Sequence, residues 1–498
     1  MTIDLTTIIK AYDVRGTVPD QLSGDVARAI GAAFARVVAL PEGARRVVVG
    51  HDMRDSGPEL VEAFTAGVTA AGVDVVEIGL CSTDGLYHAS GVLDAPGAMF
   101  TASHNPAAYN GIKLCRAGAR PVGQDTGLAE VRDLAQRILD GPPVEPTTPV
   151  EPTTPVEPTT PVEPDETTVS TGSTSDVDML AEYAAFLRGL VDLAGIRPLK
   201  VVVDAGNGMA GHTVPAVLGT GAGLPALPLD VVPLYFELDG TFPNHEANPL
   251  EPKNLEDLRA AVVEHDADLG LAFDGDADRC FVVDEHGDPV SPSAVTALVG
   301  LREVAKELEA GRAPTVIHNL ITSRAVPDLL TAAGATTVRT RVGHSFIKAQ
   351  MAQHDAVFGG EHSAHYYFRD FFFADTGMLA ALHVLAALGG QPHPLSVLAE
   401  MYEPYVASGE LNSTVPDAAA ATARVREAYA AAYPDAVVDE LDGLTVAHWD
   451  DAHPQWWFNL RASNTEPLLR LNVEAADEDI MVKVRDDVLS LVRRGETV

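Results

Sequence analysis

The hydrophobic positions of this chain recur in blocks: a β-branched run, a polar or glycine-rich turn, then a helical pattern. VVVGHDMRDS at 47–56, VVVDAGNGMAG at 201–211 and TVIHNLITSRAV at 315–326 share this shape. A strand-length apolar run feeding a turn and a helix opens an α/β unit. Three such openings predict three related α/β domains in series. Toward the end, LRLNVEA followed by EDIMVKVRDDVLSLVRR predicts a strand and a helix of a smaller α+β unit. Between these, LGLAF, DGDADR and FVVDEHG predict a strand, a tight acidic turn at 274–279 and a returning strand. The glycines of DAGNGMAG lack the GxGxxG spacing of a dinucleotide loop and are read as serving a strand-to-helix turn.

One segment breaks the pattern. Residues 145–164 read EPTTPVEPTTPVEPTTPVEP, a six-residue unit repeated three times with a trailing EP. Proline at this density excludes helix and sheet ladders and favours polyproline II, about 3.1 Å per residue, so the repeat could extend roughly 60 Å. With the polar DETTVSTGSTS after it, it reads as an exposed spacer. The predicted divisions are 1–141, a linker or insertion at 142–172, then 173–288, 289–404 and 405–498.

Composition adds exclusions. At 498 residues the chain is too long for one core, and 46% hydrophobic residues suffice for several. A formal charge of −37, with only 34 Lys and Arg, argues against nucleic acid or an anionic membrane as partner. The opening MTIDLTTIIKAYDVRG has no basic segment leading into an apolar run. Cys81, Cys115 and Cys280 are scattered, without CxxC spacing. A cytoplasmic location is therefore expected.

The acidic turn carries the first chemistry. Asp274, Asp276 and Asp278 alternate, and carboxylates this close repel unless a cation lies among them. Oxygen ligands select Mg²⁺ or Ca²⁺ over zinc. An EF-hand loop fails, because its sixth position must be glycine and is Arg279 here. Mg²⁺ commonly completes its octahedral set with phosphate and water, and Arg279 is a fork donor suited to phosphate. Thr101-Ala-Ser-His-Asn-Pro106 follows the apolar APGAMF. A hydrolase reading of Ser103 and His104 is weak: neighbouring loop side chains generally diverge, and the GxSxG elbow is absent. Ser103 is better read as a phosphate carrier whose oxygen completes the metal shell, with Lys113 of YNGIK as cation or general base.

TASHNP with YNGIK, DGDADR, GEHSAH at 360–365, RASNTEP at 461–467 and the opening KAYDVRG together resemble the signature loops of the α-D-phosphohexomutases, most closely the phosphomannomutase/phosphoglucomutase branch. The resemblance runs from about residue 9 to about residue 475, interrupted by the proline repeat. It implies three α/β domains and a C-terminal domain around a central cleft, carrying in turn the phosphoserine, metal, sugar and phosphate loops. It implies Ser103 as the phosphoserine and a metal ligand, with one Mg²⁺ per chain held also by Asp274, Asp276 and Asp278. Arg15, Lys113, His104, Arg279 and His365 would surround the transferring phosphoryl group. Tyr12, His344, Lys348, Glu361 and Ser363 would meet the sugar, and Arg461, Ser463, Asn464 and Thr465 would cradle the non-reacting phosphate. Ile321 stands where this branch often has a lysine, a contact that Lys348 could supply.

The activity so implied moves a phosphate between O6 and O1 of a hexose through a hexose 1,6-bisphosphate, which also serves as activator. Positioning and charge neutralisation are what that chemistry needs. A phosphoglucosamine mutase and a sugar-phosphate-binding protein without turnover remain as alternatives. Mannose against glucose, and monomer against homodimer, stay open.

Overall fold

The computed structural model describes residues 3–10, 12–141, 172–450, 452–462 and 468–494. The proline repeat and Ser463, Asn464 and Thr465 lie outside them. The chain clusters into two compact units. The first comprises the residues up to Leu80 with Ala89–Ala102 and Ala107–Asp178; the second comprises Cys81–His88, Ser103–Pro106 and the chain from Met179 onward.

The sheet of the first unit is centred on Arg46–His51, buried along Val47–Val49. It pairs in parallel with Asp74–Leu80 on one side and Gly97–Phe100 on the other. Tyr109–Arg116 then returns antiparallel to Gly97–Phe100, and Val14–Thr17 joins antiparallel beyond it. The helices Gly24–Phe34 and Gly57–Ala70 help bury the sheet, with Ile30, Phe34, Leu60 and Phe64 in one core.

The second unit repeats the plan twice. Leu199–Asp204 pairs in parallel with Leu229–Leu234 and Leu269–Phe273, and Cys280–Val283 returns antiparallel to Leu269–Phe273. Thr315–Asn319 pairs in parallel with Thr336–Thr340 and Phe358–Gly360, and Tyr366–Phe368 returns antiparallel to Phe358–Gly360. Strands buried on both faces read as unbroken apolar runs, which is why LGLAF and VVVD lack alternation. The C-terminal sheet is all antiparallel, from Val406–Thr414 through Leu468–Ala475, Trp456–Ala462 and Leu444–His448 to Val437–Asp439. The helix Glu478–Val492 covers it, capped by Asp477. Three α/β sheets and a smaller α+β sheet agree with the expected class.

This repetition positions the chemistry. In each α/β sheet, one of the two strands parallel to the central one ends in a loop that leads into an antiparallel return. TASHNP, DGDADR and the GEHSAH loop occupy that same place in three sheets. Carboxyl ends of parallel strands are where open α/β sheets present ligand sites.

Candidate active site

In the second unit, Ser103–Pro106 meets the acidic turn. Ser103 has φ 49°, a left-handed conformation that few non-glycine residues adopt. Its Oγ donates to Asp274 Oδ2 at 2.7 Å. The backbones approach closely: a Cβ on Gly275 would lie 2.5 Å from the Ser103 carbonyl oxygen, so only glycine fits without displacement. Ser103 Oγ also lies 3.2 Å from His104 Nδ1, so these neighbours do not diverge as expected. The turn conformation at Ser103 brings them onto one side. His104 Nδ1 accepts from the Arg279 guanidinium at 2.6 Å, which leaves that nitrogen without a proton.

Asp274, Asp276 and Asp278 are each 0% exposed, and one oxygen from each lies within 4.8 Å of the others. Arg279 donates through Nε to Asp274 Oδ2 at 2.9 Å and through its main-chain N–H to Oδ1 at 3.2 Å. Burial pushes the Asp274 carboxyl up to about 7; Arg279 opposes this, while Asp278 and Asp276 add to it. Three buried carboxylates thus lie together beside Arg279, an arrangement that suits a hard divalent cation. An all-oxygen donor set joined by the Ser103 hydroxyl suits Mg²⁺. The acidic turn could hold such an ion.

The GEHSAH loop joins this cluster. Arg279 and His365 form an isolated antiparallel bridge, and His365 Nε2 lies 3.7 Å from Asp278 Oδ1. Ser363 Oγ is 3.1 Å from His365 Nδ1 and 3.4 Å from Glu361 Oε2. Glu361 is buried and accepts from the Tyr367 hydroxyl at 2.9 Å, Asn319 Nδ2 at 3.3 Å and the Gly343 N–H at 3.2 Å. Gly343 caps the helix His344–His354, so the bond to Glu361 fixes where half-buried His344 begins.

Lys348 pairs with Asp375, which has a carboxylate oxygen within 4.8 Å of ligand atoms of Asp278 and His365. Its ammonium lies 2.6 Å from Asp375 Oδ1 and 4.0 Å over the Tyr87 ring, with both charged side chains buried. Ile321 is buried in the loop after Thr315–Asn319, and its place remains apolar. In the C-terminal sheet, Arg461 bonds Glu410 at 3.0 Å, and its cross-strand partner Arg470 bonds the other oxygen of Glu410 at 3.0 Å. In the first unit, Arg15 stands opposite Gly111, which puts it on the same sheet face as Lys113; Arg15 also pairs with Asp13 at 2.7 Å, and Tyr12 is half-buried just before that strand.

The chain matches four family models in succession. They are described as phosphoglucomutase/phosphomannomutase alpha/beta/alpha domain I at residues 6–140, domain II at 181–287, domain III at 292–405, and the C-terminal domain at 410–491. The chain belongs to the phosphoglucomutase/phosphomannomutase family. It is 38% identical over 491 residues to a phosphomannomutase of Escherichia coli, covering 98% of this chain and 99% of that one. It is 40% identical over 490 residues to phosphohexose mutases of Xanthomonas campestris, covering 98% and 99%. A crystal structure of a phosphoglucomutase/phosphomannomutase family protein from Burkholderia thailandensis superposes with a TM-score of 0.80 at 30% identity, covering 100% and 99%.

Within this phosphoglucomutase/phosphomannomutase site, the motifs name the loops but miss what holds them. Tyr367 lies just beyond GEHSAH and Asn319 at the end of the strand TVIHN. Their common target, Glu361, links them only through the third sheet. Arg470 could have been found as a cation nine residues past the RASNTEP arginine on a returning strand, where cross-strand pairing puts the two side by side. Cys81, Cys115 and Cys280 are buried and in no disulfide. Among the described residues, no helix is long and apolar enough to cross a membrane.

Proposed function

We propose that the protein is a phosphomannomutase/phosphoglucomutase that interconverts hexose 6-phosphate and hexose 1-phosphate through a phosphorylated Ser103. The single observation that carries this reading is the Ser103 hydroxyl 2.7 Å from Asp274 inside the buried carboxylate turn. A bound Mg²⁺, held by Asp274, Asp276, Asp278 and an oxygen on Ser103, would neutralise charge on the phosphoryl group.

The chain's own groups account for the rest. A sugar hydroxyl attacks the phosphorus while a base takes its proton, the bond from phosphorus to Ser103 Oγ breaks, and the departing Ser103 oxygen takes up a proton to become the hydroxyl. Lys113 and His365 are the candidates for that base. Arg279, already a donor toward Asp274 and His104, would donate to the phosphoryl oxygens, and Arg15 is proposed for the same role. The resulting hexose 1,6-bisphosphate turns end for end and returns its other phosphate to Ser103, which explains why the bisphosphate would also serve as activator. Glu361 and Ser363 form a pair of acceptor and donor able to meet vicinal hydroxyls in either orientation. Arg461, with Ser463, Asn464 and Thr465, would hold the phosphate that is not reacting. Lys348, paired with Asp375, is proposed to contact the sugar with Tyr12 and His344.

A coupled assay with Mg²⁺ and bisphosphate tests this. Wild-type protein should turn over, and Ser103→Ala should lose roughly 10³-fold or more. Intact mass should show one phosphate on the wild type and none on the variant. Full turnover by Ser103→Ala would overturn the mechanism. Parallel kinetics on mannose, glucose and glucosamine phosphates separate the mannose/glucose branch from a glucosamine mutase. Tight ligand binding with no isomerisation would revive the binding-protein reading.

A further inference from the structure

The helix Thr83–Val92 begins beside the acidic turn, and its first residues belong to the second unit. Ser82, Thr83 and Asp84 are 1%, 0% and 0% exposed. Thr83 Oγ1 donates to Asp276 Oδ2 at 2.6 Å, across 193 residues of sequence. The Thr83 N–H donates to the main-chain carbonyl of Asp276 at 3.0 Å. One residue thus grips both the side chain and the backbone of one acidic ligand.

Thr83 is itself held by a network of hydroxyls. Ser82 Oγ accepts from the Gly85 N–H at 3.2 Å and donates to Asp84. Asp84 Oδ2 accepts from Tyr183 at 2.7 Å and from Thr376 at 2.6 Å. Thr376 caps the helix Gly377–Gly389, and Tyr183 lies in the helix Leu180–Leu190. Two helices packed in the same unit therefore fix the start of Thr83–Val92, and with it the direction of the Thr83 hydroxyl.

We infer that Thr83 is a positioning residue for the divalent cation: its clamp turns the Asp276 carboxylate so that one oxygen is committed to the hydroxyl and the carboxylate offers the ion a single ligand atom. A side-chain donor to a metal-binding carboxylate orients it and raises affinity, typically by 10–100-fold. Neither the DGDADR loop nor the TASHNP loop contains Thr83. The inference rests on the reading of the acidic turn as a metal site.

The test is direct binding of Mn²⁺ to the full-length, unphosphorylated protein, followed by electron paramagnetic resonance. Thr83→Val keeps the shape and removes the hydroxyl; Thr83→Ser keeps the hydroxyl. Thr83→Val should weaken Mn²⁺ binding by about 10-fold or more, and Thr83→Ser should bind within about threefold of wild type. The rate loss of Thr83→Val should shrink as Mg²⁺ is raised, which general destabilisation would not produce. Wild-type affinity in Thr83→Val overturns the inference, as does an equal loss in Thr83→Ser. Asp276→Asn separates the two levels of the argument. If it fails to bind while Thr83→Val binds normally, only the positioning role falls. If wild-type protein binds no Mn²⁺, the metal reading falls with it.

Discussion

A buried charge tolerates little change, and Lys348 with Asp375 shows why. Their side chains are 2% and 3% exposed, and the ammonium sits between a carboxylate and the Tyr87 ring. Removing one partner of a buried ion pair leaves the other charge in a medium that solvates it poorly, a loss of about 3–5 kcal/mol. Lys348→Met should therefore lower the thermal midpoint by at least about 5 °C in differential scanning calorimetry. Lys348→Arg should recover only part of that, since a planar fork does not match a site packed around a point charge. An unchanged midpoint in Lys348→Met would show that the pair contributes no net stability.

Elements make the site by repetition. Three loops meet their chemistry because each follows the same strand in its own sheet, and tight packing is needed where two of them touch. Gly275→Ala puts a methyl group 2.5 Å from the Ser103 carbonyl oxygen, so the two loops must separate. A misplacement of about 1 Å can cost about 10²-fold in rate, and kcat/KM should fall by that order while the far-ultraviolet circular dichroism stays unchanged. A second element carries a pH dependence. At the end of the helix Pro292–Glu309, Glu307 accepts from Arg312 and, at 2.7 and 3.0 Å, from Arg369. Those bonds to Arg312 and Arg369 hold its carboxyl down at about 2, from an ordinary 4.5. A lowered folded-state value stabilises the fold above 4.5, and that contribution disappears as pH falls toward 2. Glu307→Gln should be less stable than wild type at pH 6, with the gap closing steadily below pH 4.5 in urea melts. A gap independent of pH would contradict this.

For the molecule as a whole, the proline repeat at 145–164 falls between family matches ending at 140 and beginning at 181. A segment without helix or ladder propensity adds little to a folded core. Its deletion should leave kcat/KM within about twofold of wild type and leave the melting midpoint in place. A large loss of activity would give the repeat a part in catalysis.

Local order in the sequence determined the elements: apolar runs too short for helices, turns rich in glycine and acid, and helical patterns after them. VVVD, LGLAF and TVIHN became strands, and TASHNP, DGDADR and GEHSAH became the loops that follow Gly97–Phe100, Leu269–Phe273 and Phe358–Gly360. Side-chain chemistry was legible too, because alternating carboxylates demand a cation wherever they are folded. Tertiary structure alone decided which groups meet. Ser103 reaches Asp274 over 171 residues, Thr83 reaches Asp276 over 193, and Glu361 collects Asn319, Gly343 and Tyr367 from three elements. It also turned Lys348 toward Asp375 and brought His104 beside Ser103. Periodicity reports which face of an element is buried; it carries no information about which distant loop will be packed against that face.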